Sequence, residues 1–328
     1  MMIKNQWYAI LDAKEVKPGK AVGVTRLGEK LVVWRTAGGE LSVLADLCPH
    51  RGAAFSLGEV KSDCILCPFH GFEFDRSGRC QAVPANGRAG AVPKIMKVQS
   101  YPVREAHDFI WVWWGEPREQ YPDLPYFDDI GPTSGFTYAS DRDAWPVDYT
   151  RAVENQLDVF HLPFVHATTI GRGKRVIHDG PVYKVTKDRL DIWYDSRPED
   201  GRPARRPEEM PEPTGPALLR FIFPNVWMNH LGPDMRITVA FVPIDDENCI
   251  LYLRYYQRFV RLPLLRSLVN WIIMVSSRAI LAQDKRVVIT QRPVWTDLKM
   301  DEKLIPADAP IIAFRRRNRE LKEAVGQA

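Results

Sequence analysis

The chain has 328 residues, 45% of them hydrophobic and 26% charged, the make-up of a globular protein with room for two domains rather than a disordered or fibrous chain. A net charge of +4, with no basic stripe carrying interleaved aromatics, argues against a nucleic-acid surface. Five cysteines, an odd number in a chain this long, do not make a disulfide framework.

The N-terminus, Met1 to Leu11, lacks a basic region followed by a long apolar run, so no signal peptide is expected and the location is read as cytoplasmic. From Met1 to about Pro117 the text is short and β-like. Lys30 to Trp34 and Phe109 to Trp114 are runs of strand formers, and Gly38-Gly39, Ser77-Gly78 and Asn86-Gly87 supply turns. Phe72 to Asp75, leading into Ser77-Gly78, reads as a hairpin.

Just ahead of that hairpin stand Cys48-Pro49-His50-Arg51-Gly52 and Cys67-Pro68-Phe69-His70-Gly71. The pattern is C-x-H, sixteen residues, then C-x-x-H. Two thiolates and two neutral imidazoles in two short clusters suit one [2Fe–2S] centre of the Rieske type. There the histidines hold one iron and raise the potential above that of an all-cysteine cluster. Tetrahedral zinc also accepts two Cys and two His, but zinc modules more often pair like with like, whereas each cluster here mixes the two. Cys64, Cys80 and Cys249 read as small buried residues.

Pro117 to Pro132 is rich in proline and acid and reads as a linker. Beyond it, Tyr149 to Leu162 has helical character, Leu218 to Met228, Met235 to Ile244 and Ile250 to Val260 read as strands, and Leu264 to about Gln291 reads as one long helix. Helices on an antiparallel sheet make this second part α+β. Asp195 to Pro216 holds six prolines and reads as a surface insertion, with a flap over a pocket as the alternative. The basic end at Arg315-Arg316-Arg317 and Arg319 reads as a solvated helix face. The least polar stretch, Ser267 to Ser277, is only eleven residues, short of a membrane span.

A second constellation lies between Glu154 and His166. On one helix Glu154, Asp158 and His161 fall within about 60° of each other, beside an apolar flank of Leu157 and Phe160. His161 and His166 would diverge on an unbroken helix, but Pro163 disrupts it and lets the chain turn His166 back beside His161. Two His and one carboxylate with open positions suit a mononuclear iron that reacts with O₂. Asp284 shares a helix face with Ile273, Ser277, Ile280 and Val288, where a carboxylate is costly unless paired or metal-bound. A salt bridge to Arg278, Lys285 or Arg286 is the other reading of that residue.

With these motifs in this order, nearly the whole chain resembles the oxygenase components of the Rieske non-haem iron ring-hydroxylating oxygenases. The likeness is greatest to the shorter branch containing dicamba and vanillate O-demethylases and caffeine N-demethylases. Cys48 to Gly52 and Cys67 to Gly71 match the Rieske pattern. Glu154 to His166 matches the segment with a bridging Asp and two iron-binding His, and Ala282 to Pro293 matches the segment with the third ligand.

The resemblance implies Cys48, His50, Cys67 and His70 around a [2Fe–2S] cluster, and His161, His166 and Asp284 around a mononuclear Fe(II). It further implies Asp158 as bridging carboxylate and Asn155 close to the iron. The implied architecture is an all-β Rieske domain over 1–117 and a helix-grip catalytic domain over 118–328. The copies would form a head-to-tail homotrimer in which Asp158 meets His70 of the next subunit.

No G-x-G-x-x-G in strand–turn–helix context and no plant-type ferredoxin run occurs, so NAD(P)H would act through a separate flavin- or ferredoxin-type reductase. In the strand Phe221 to His230, alternation puts Asn225, Trp227 and Asn229 on one face and Val226, Met228 and His230 on the other; Asn225, Trp227, Asn229 and His230 are candidate substrate contacts. His107 and His178 show no partner pattern. The expected function is a terminal oxygenase that hydroxylates or demethylates a small aromatic, heteroaromatic or methylated compound. The alternatives are an electron-transfer protein without oxygen chemistry, or a cis-dihydroxylating, tetrapyrrole or alkaloid oxygenase of the same superfamily.

Overall fold

The computed structural model describes residues 2–87, 90–131 and 133–327. They divide into two units, one built from residues 2–124 with 243–245 and the other from 125–242 and from 246 onward.

The first unit is almost entirely β. Its strands are β1 (Gln6–Asp12), β2 (Ala21–Arg26), β3 (Glu29–Arg35), β4 (Leu41–Ala45), β5 (Glu59–Lys61), β6 (Cys64–Leu66), β7 (Glu73–Asp75), β8 (Cys80–Ala82), β9 (Ser100–Tyr101), β10 (Val103–Ala106) and β11 (Phe109–Trp114). They form three sheets, ordered β1-β11-β10, β2-β3-β4-β9 and β5-β6-β7-β8. All of β11 is buried, which explains its unbroken run of apolar residues: a strand covered on both faces has no reason to alternate. Two of its three tryptophans satisfy their N–H groups on backbone, Trp111 and Trp113 donating to the carbonyls of Ala106 and Glu116 at 3.0 and 2.8 Å.

The proline-rich stretch after Pro117 is not a free linker in its first half. Tyr121 packs on Trp7 and Trp113 at centroid distances of 5.5 and 5.2 Å, and the Trp7 indole donates to the Pro122 carbonyl. Burial of those rings carries the first unit on to residue 124 rather than 117. Pro132, at the far end of that stretch, and the chain ends Met1 and Ala328 lie outside the described residues.

The second unit contains β12 (Thr137–Trp145), α1 (Tyr149–Leu157), α2 (Leu162–Val165), β13 (Ile177–Val185), β14 (Arg189–Arg197), β15 (Leu219–Ile222), β16 (Val226–His230), β17 (Met235–Pro243), β18 (Cys249–Gln257), α3 (Pro263–Val288) and α4 (Ala309–Glu323). Its strands make one seven-stranded sheet, β12-β18-β17-β16-β15-β14-β13. α3 packs on β12, β18 and α1, and α4 on β13, β14 and α1, the α+β arrangement expected.

Two local expectations are corrected. The strand expected over Leu218 to Met228 is a hairpin, since Phe223 to Asn225 form the turn between β15 and β16. The insertion after β14 is largely exposed, as expected, and is anchored where it starts: the fully buried Asp179 accepts from the Arg197 guanidinium at 3.0 Å and from the Arg205 amide at 2.8 Å. Arg315 is no solvated residue. It is buried and forms a two-pronged pair with Glu154 of α1 at 2.7 and 2.8 Å, and it reaches Glu302 at 2.7 Å.

The apolar run near Ser267 is also longer than eleven residues. It belongs to the 26-residue α3, which is long and apolar enough to cross a membrane by length and composition, with a best-window mean hydropathy of 1.4. The helix starts at Pro263, where a missing N–H costs nothing, and contains no internal Gly or Pro. Its first half leaves Leu264, Leu268 and Trp271 largely exposed. Its second half is tied down by Arg278 to Asp141 and by Lys285 to Asp143, and it buries Leu281, Asp284 and Val288.

Candidate metal centres and the cavity beside one of them

In the first unit the two predicted ligand clusters form two copies of one loop. The Cys48 amide donates to the Ala53 carbonyl and the Gly52 amide to the Cys48 carbonyl, both at 2.8 Å. The second loop repeats this with Cys67 to Phe72 at 2.8 Å and Gly71 to Cys67 at 2.9 Å. Each turn closes through a glycine in the left-handed region, Gly52 at φ +74° and Gly71 at φ +69°, where a side chain is strained. Both cysteines are 2% exposed and sit in a core cluster with Phe55, Ile65, Phe72 and Phe74.

The two histidines are less buried, and their rings lie 4.6 Å apart, with His50 stacked on Phe72. Burial, reinforced by Cys67 alongside, pushes the Cys48 thiol up to about 11. As a free thiol it is inert; only a bound metal would hold it as thiolate. The Nδ1 of His70 is buried without a hydrogen-bond partner. Paired thiols, paired rings and an orphaned ring nitrogen fit a two-Cys, two-His cluster.

In the second unit α1 begins at an Asp148 cap, whose carboxylate accepts the Thr150 amide at 2.9 Å, and it ends at Asp158. The helix break therefore falls between Asp158 and His161, earlier than the proline placed it. Pro163 instead lies in the first turn of α2, where its missing N–H is harmless. Asp158 caps the break: its Oδ1 accepts the amides of Phe160 at 2.8 Å and His161 at 3.2 Å. Glu154 does not share a polar face with Asp158 and His161, because it is turned to Arg315.

The break brings His161 and His166 together with ring centroids 5.3 Å apart, and α3 supplies Asp284. Asp284 Oδ1 lies 3.4 Å from His161 Nε2 and 3.0 Å from His166 Nε2, and one ligand atom from each residue lies within 4.8 Å of the others. Donors bound to one ion at about 2.0–2.2 Å must lie within about 4.4 Å of each other, so only a small closure is needed.

The charges agree with that geometry. Burial pulls the His161 ring down, but the carboxylates of Asp158 and Asp284 overcome it and hold it up at about 9. Burial raises Asp284, and the two histidines more than reverse this. Asp284 Oδ1, His161 Nδ1 and Asn155 Nδ2 are buried atoms without a well-formed hydrogen bond. A site so arranged favours a cation.

Gln283 is a neighbour that sequence reasoning missed. Its Oε1 lies 2.8 Å from His166 Nδ1 and also takes the Thr169 hydroxyl, while its Nε2 donates to Thr168. An amide oxygen only accepts, so Nδ1 carries a proton, which leaves Nε2, on the Asp284 side, as the nitrogen a metal could take. His178, expected to be ordinary, is buried near enough to Asp158 and His161 to feel both charges, and its Nδ1 meets Ser196 Oγ at 2.8 Å.

The triad forms one wall of a cavity of about 630 Å³, which Asn155 and Asp158 also line. The sheet contributes Leu219, Trp227, Asn229, Ile237, Val239 and Leu253, and α3 contributes Ser277, Ile280 and Leu281. Of the candidate substrate contacts, Trp227, Asn229 and His230 reach the cavity. Asn225 does not. It lies in the turn before β16, fully buried, and donates to the Phe241 carbonyl, so the alternation of the strand never extends to it.

Fold and sites together describe a β unit carrying two Cys–His loops and a second unit that gathers two His and one carboxylate beside a large antiparallel sheet. Residues 6–102 match the Rieske [2Fe–2S] domain family, and residues 145–324 match the vanillate O-demethylase oxygenase C-terminal domain family. The chain belongs to the Rieske non-haem iron oxygenases, its second unit matching the C-terminal domain family of the vanillate O-demethylase oxygenases. That membership implies a Rieske cluster and a mononuclear iron.

The chain is 35% identical over 168 residues to a cholesterol 7-desaturase of Ciona intestinalis, covering 49% of this chain and 34% of that protein. It is 33% identical over 182 residues to a vanillate O-demethylase oxygenase subunit of a Pseudomonas species, covering 56% and 49%. These matches thus span about a third to a half of the curated relatives' length. Among solved structures, the Pseudomonas putida CBB5 NdmA QL mutant with theobromine superimposes with a TM-score of 0.78 at 22% identity, over 99% of this chain and 92% of that one, a likeness of fold.

Proposed function

We propose that this protein is a terminal oxygenase component. It would take electrons from a separate NAD(P)H reductase and use O₂ to hydroxylate or oxidatively demethylate a small aromatic, heteroaromatic or methylated compound. The observation that carries the reading is the convergence of His161, His166 and Asp284 on one point in the wall of an apolar cavity. Bound cofactors would supply single-electron delivery from the [2Fe–2S] cluster and oxygen activation at the iron.

In this reading Cys48 and Cys67 hold one iron of the cluster and His50 and His70 the other. Burial of the two thiols keeps water from them, while His50 is exposed and His70 partly so, where protons can reach them. His161, His166 and Asp284 hold the mononuclear iron. Gln283 fixes the His166 tautomer, and Asp158 orients the His161 segment through its two backbone amides. In a head-to-tail homotrimer Asp158 would also accept from His70 of the adjacent copy and link the two metal centres. Asn155, which lines the same cavity, would hydrogen-bond a group at the iron. The apolar walls exclude water from the reacting position.

The test is purified, iron-loaded protein with a surrogate reductase, NADH and a panel of methoxylated, N-methylated and plain aromatic compounds. Oxygen uptake coupled to formaldehyde identifies a demethylase. Uptake with one oxygen added to the product and no formaldehyde identifies a hydroxylase. Reduction of the cluster with no coupled uptake on any compound, in protein holding both metal centres, leaves electron transfer as the function.

A further inference from the structure

The first half of α3 presents an apolar face that none of the described residues covers. Leu264, Leu268, Trp271 and Val275 recur at i, i+4, i+7 and i+11, which sets them on one stripe of the helix. Their exposures are 89%, 53%, 64% and 48%, and Leu262, just ahead of the helix, is 68% exposed. Single exposed leucines are ordinary, but a contiguous stripe marks a surface that docks on something. The cavity-lining Ser277, Ile280 and Leu281 come from the other side of the same helix.

The charge around the stripe says what it docks on. No Asp or Glu stands between Glu247 and Asp284, while Arg258, Arg261 and Arg266 gather at the start of α3. These three line one cleft of about 550 Å³ together with Ser134, Thr137 and Asp234. Asp234 holds Arg258 at 2.8 Å, whereas Arg261 and Arg266 make no ion pair among the described residues. The acids that β12 brings to α3, Asp141 and Asp143, meet its second half at Arg278 and Lys285. A stripe of Leu and Trp bordered by unpaired guanidiniums is complementary to a bilayer with phosphate headgroups. The apolar side chains enter the acyl boundary, the indole sits at headgroup depth, and the arginines take phosphates.

Two other placements fit less well. α3 is long and apolar enough to span a membrane, but its second half is tied to β12 and buries Asp284, so the helix can lie on a bilayer and not cross it. A second copy would have to bring acids to Arg261 and Arg266. The contact between copies proposed around His70 and Asp158 also has exposed apolar residues of its own, Phe69 at 55% and Phe164 at 70%. We infer that the first half of α3, with Arg261 and Arg266, docks this protein on the surface of an anionic lipid bilayer. Docking holds the cavity about 10 Å, one helix diameter, from the lipid.

The experiment is sedimentation of the full metal-loaded chain with vesicles of phosphatidylcholine, either alone or with about a quarter phosphatidylglycerol, at low ionic strength. The protein should sediment with the anionic vesicles. Brominated lipid in them should quench part of its fluorescence, the part that Trp271→Phe removes. Leu264→Glu/Leu268→Glu should weaken vesicle binding by at least about tenfold. Arg261→Glu/Arg266→Glu should weaken binding to anionic vesicles by at least about twentyfold and leave binding to neutral ones unchanged. Leu57→Glu/Ile95→Glu, at positions 80% and 85% exposed in the first unit, should bind as the unaltered protein does. All these positions are on the surface, and the cluster absorbance checks that each variant is folded.

Absence of sedimentation with anionic vesicles overturns the inference, as does binding that neither α3 variant weakens. A rise in mass with protein concentration, without lipid binding and removed by Leu264→Glu/Leu268→Glu, would make the face a contact between copies and overturn it too. None of these outcomes involves oxygen chemistry, so the oxygenase reading stands or falls apart from this one.

Discussion

The two candidate metal centres reach the same end by opposite routes. In the first unit four candidate ligands fall between Cys48 and His70, on two loops with the same hydrogen bonds and the same left-handed glycine. In the second, two histidines at a helix break face a carboxylate on α3, and the partner that fixes His166 lies 117 residues along the chain. A local motif holds its shape through its own backbone. A long-range one depends on how α1 and α3 pack, so it can be tuned or lost by changes far from the metal.

The sharpest way to break the comparison is to remove one centre at a time. Cys67→Ser should abolish the iron–sulfur absorbance and acid-labile sulfide while mononuclear metal binding persists. Asp284→Asn should do the converse, with iron per chain falling by the mononuclear atom and the cluster spectrum unchanged. Loss of both centres in either variant would show that the two are not built independently.

Next in size is Asp158→Asn, which keeps the shape of the side chain but removes its charge. Turnover should fall by at least about a hundredfold with both metals bound. Normal coupled activity in this variant would remove Asp158 from the mechanism.

Gln283→Leu takes away the acceptor at His166 Nδ1 and should weaken mononuclear metal binding by about ten- to a hundredfold, as loss of such outer partners does. An unchanged affinity by chelator competition would mean that the ring is fixed by packing alone.

The smallest effect is one of pH. In metal-free protein His161 is held at about 9 against an ordinary 6.5. Being raised, it contributes stability that is fully present below 6.5 and is lost as the pH climbs through about 9. Metal must displace that proton, so affinity should run the other way, gaining up to about tenfold per pH unit across the same window. Melting curves of the metal-free protein and metal titrations at three pH values check both signs, and a flat affinity counts against His161 as a ligand.

What was legible in the sequence follows the same division. Both cluster loops could be read from spacing because their geometry is local. Asp284 was singled out on its helix face, because a carboxylate beside Ile280 and Val288 asks for a partner, and the structure sets it against His161 and His166. Gln283 could not, since its neighbour is set by the packing of α2 against α3. Arg315 was misread for a related reason: three arginines in a row look solvated until two distant acids, Glu154 and Glu302, are brought against one of them. Asn225 was misplaced because alternation was run through a turn that only the pairing of β15 with β16 reveals. The break at Asp158 comes earlier than expected because its carboxylate takes the amides of Phe160 and His161 and so offers the backbone an alternative to the helix ladder.

The pair between Arg315 of α4 and Glu154 of α1 has a practical consequence. α1 holds Asn155 and ends at Asp158, and its grip on the fold includes this buried two-pronged contact with a helix that supplies no candidate ligand. A truncation that spares every candidate ligand but removes α4 would take from Glu154 its closest partner and leave it only the longer pair with Arg151 at 3.6 Å. Fusion partners and shortened versions should therefore be designed to keep α4 whole, as one of the two helices that α1 leans on.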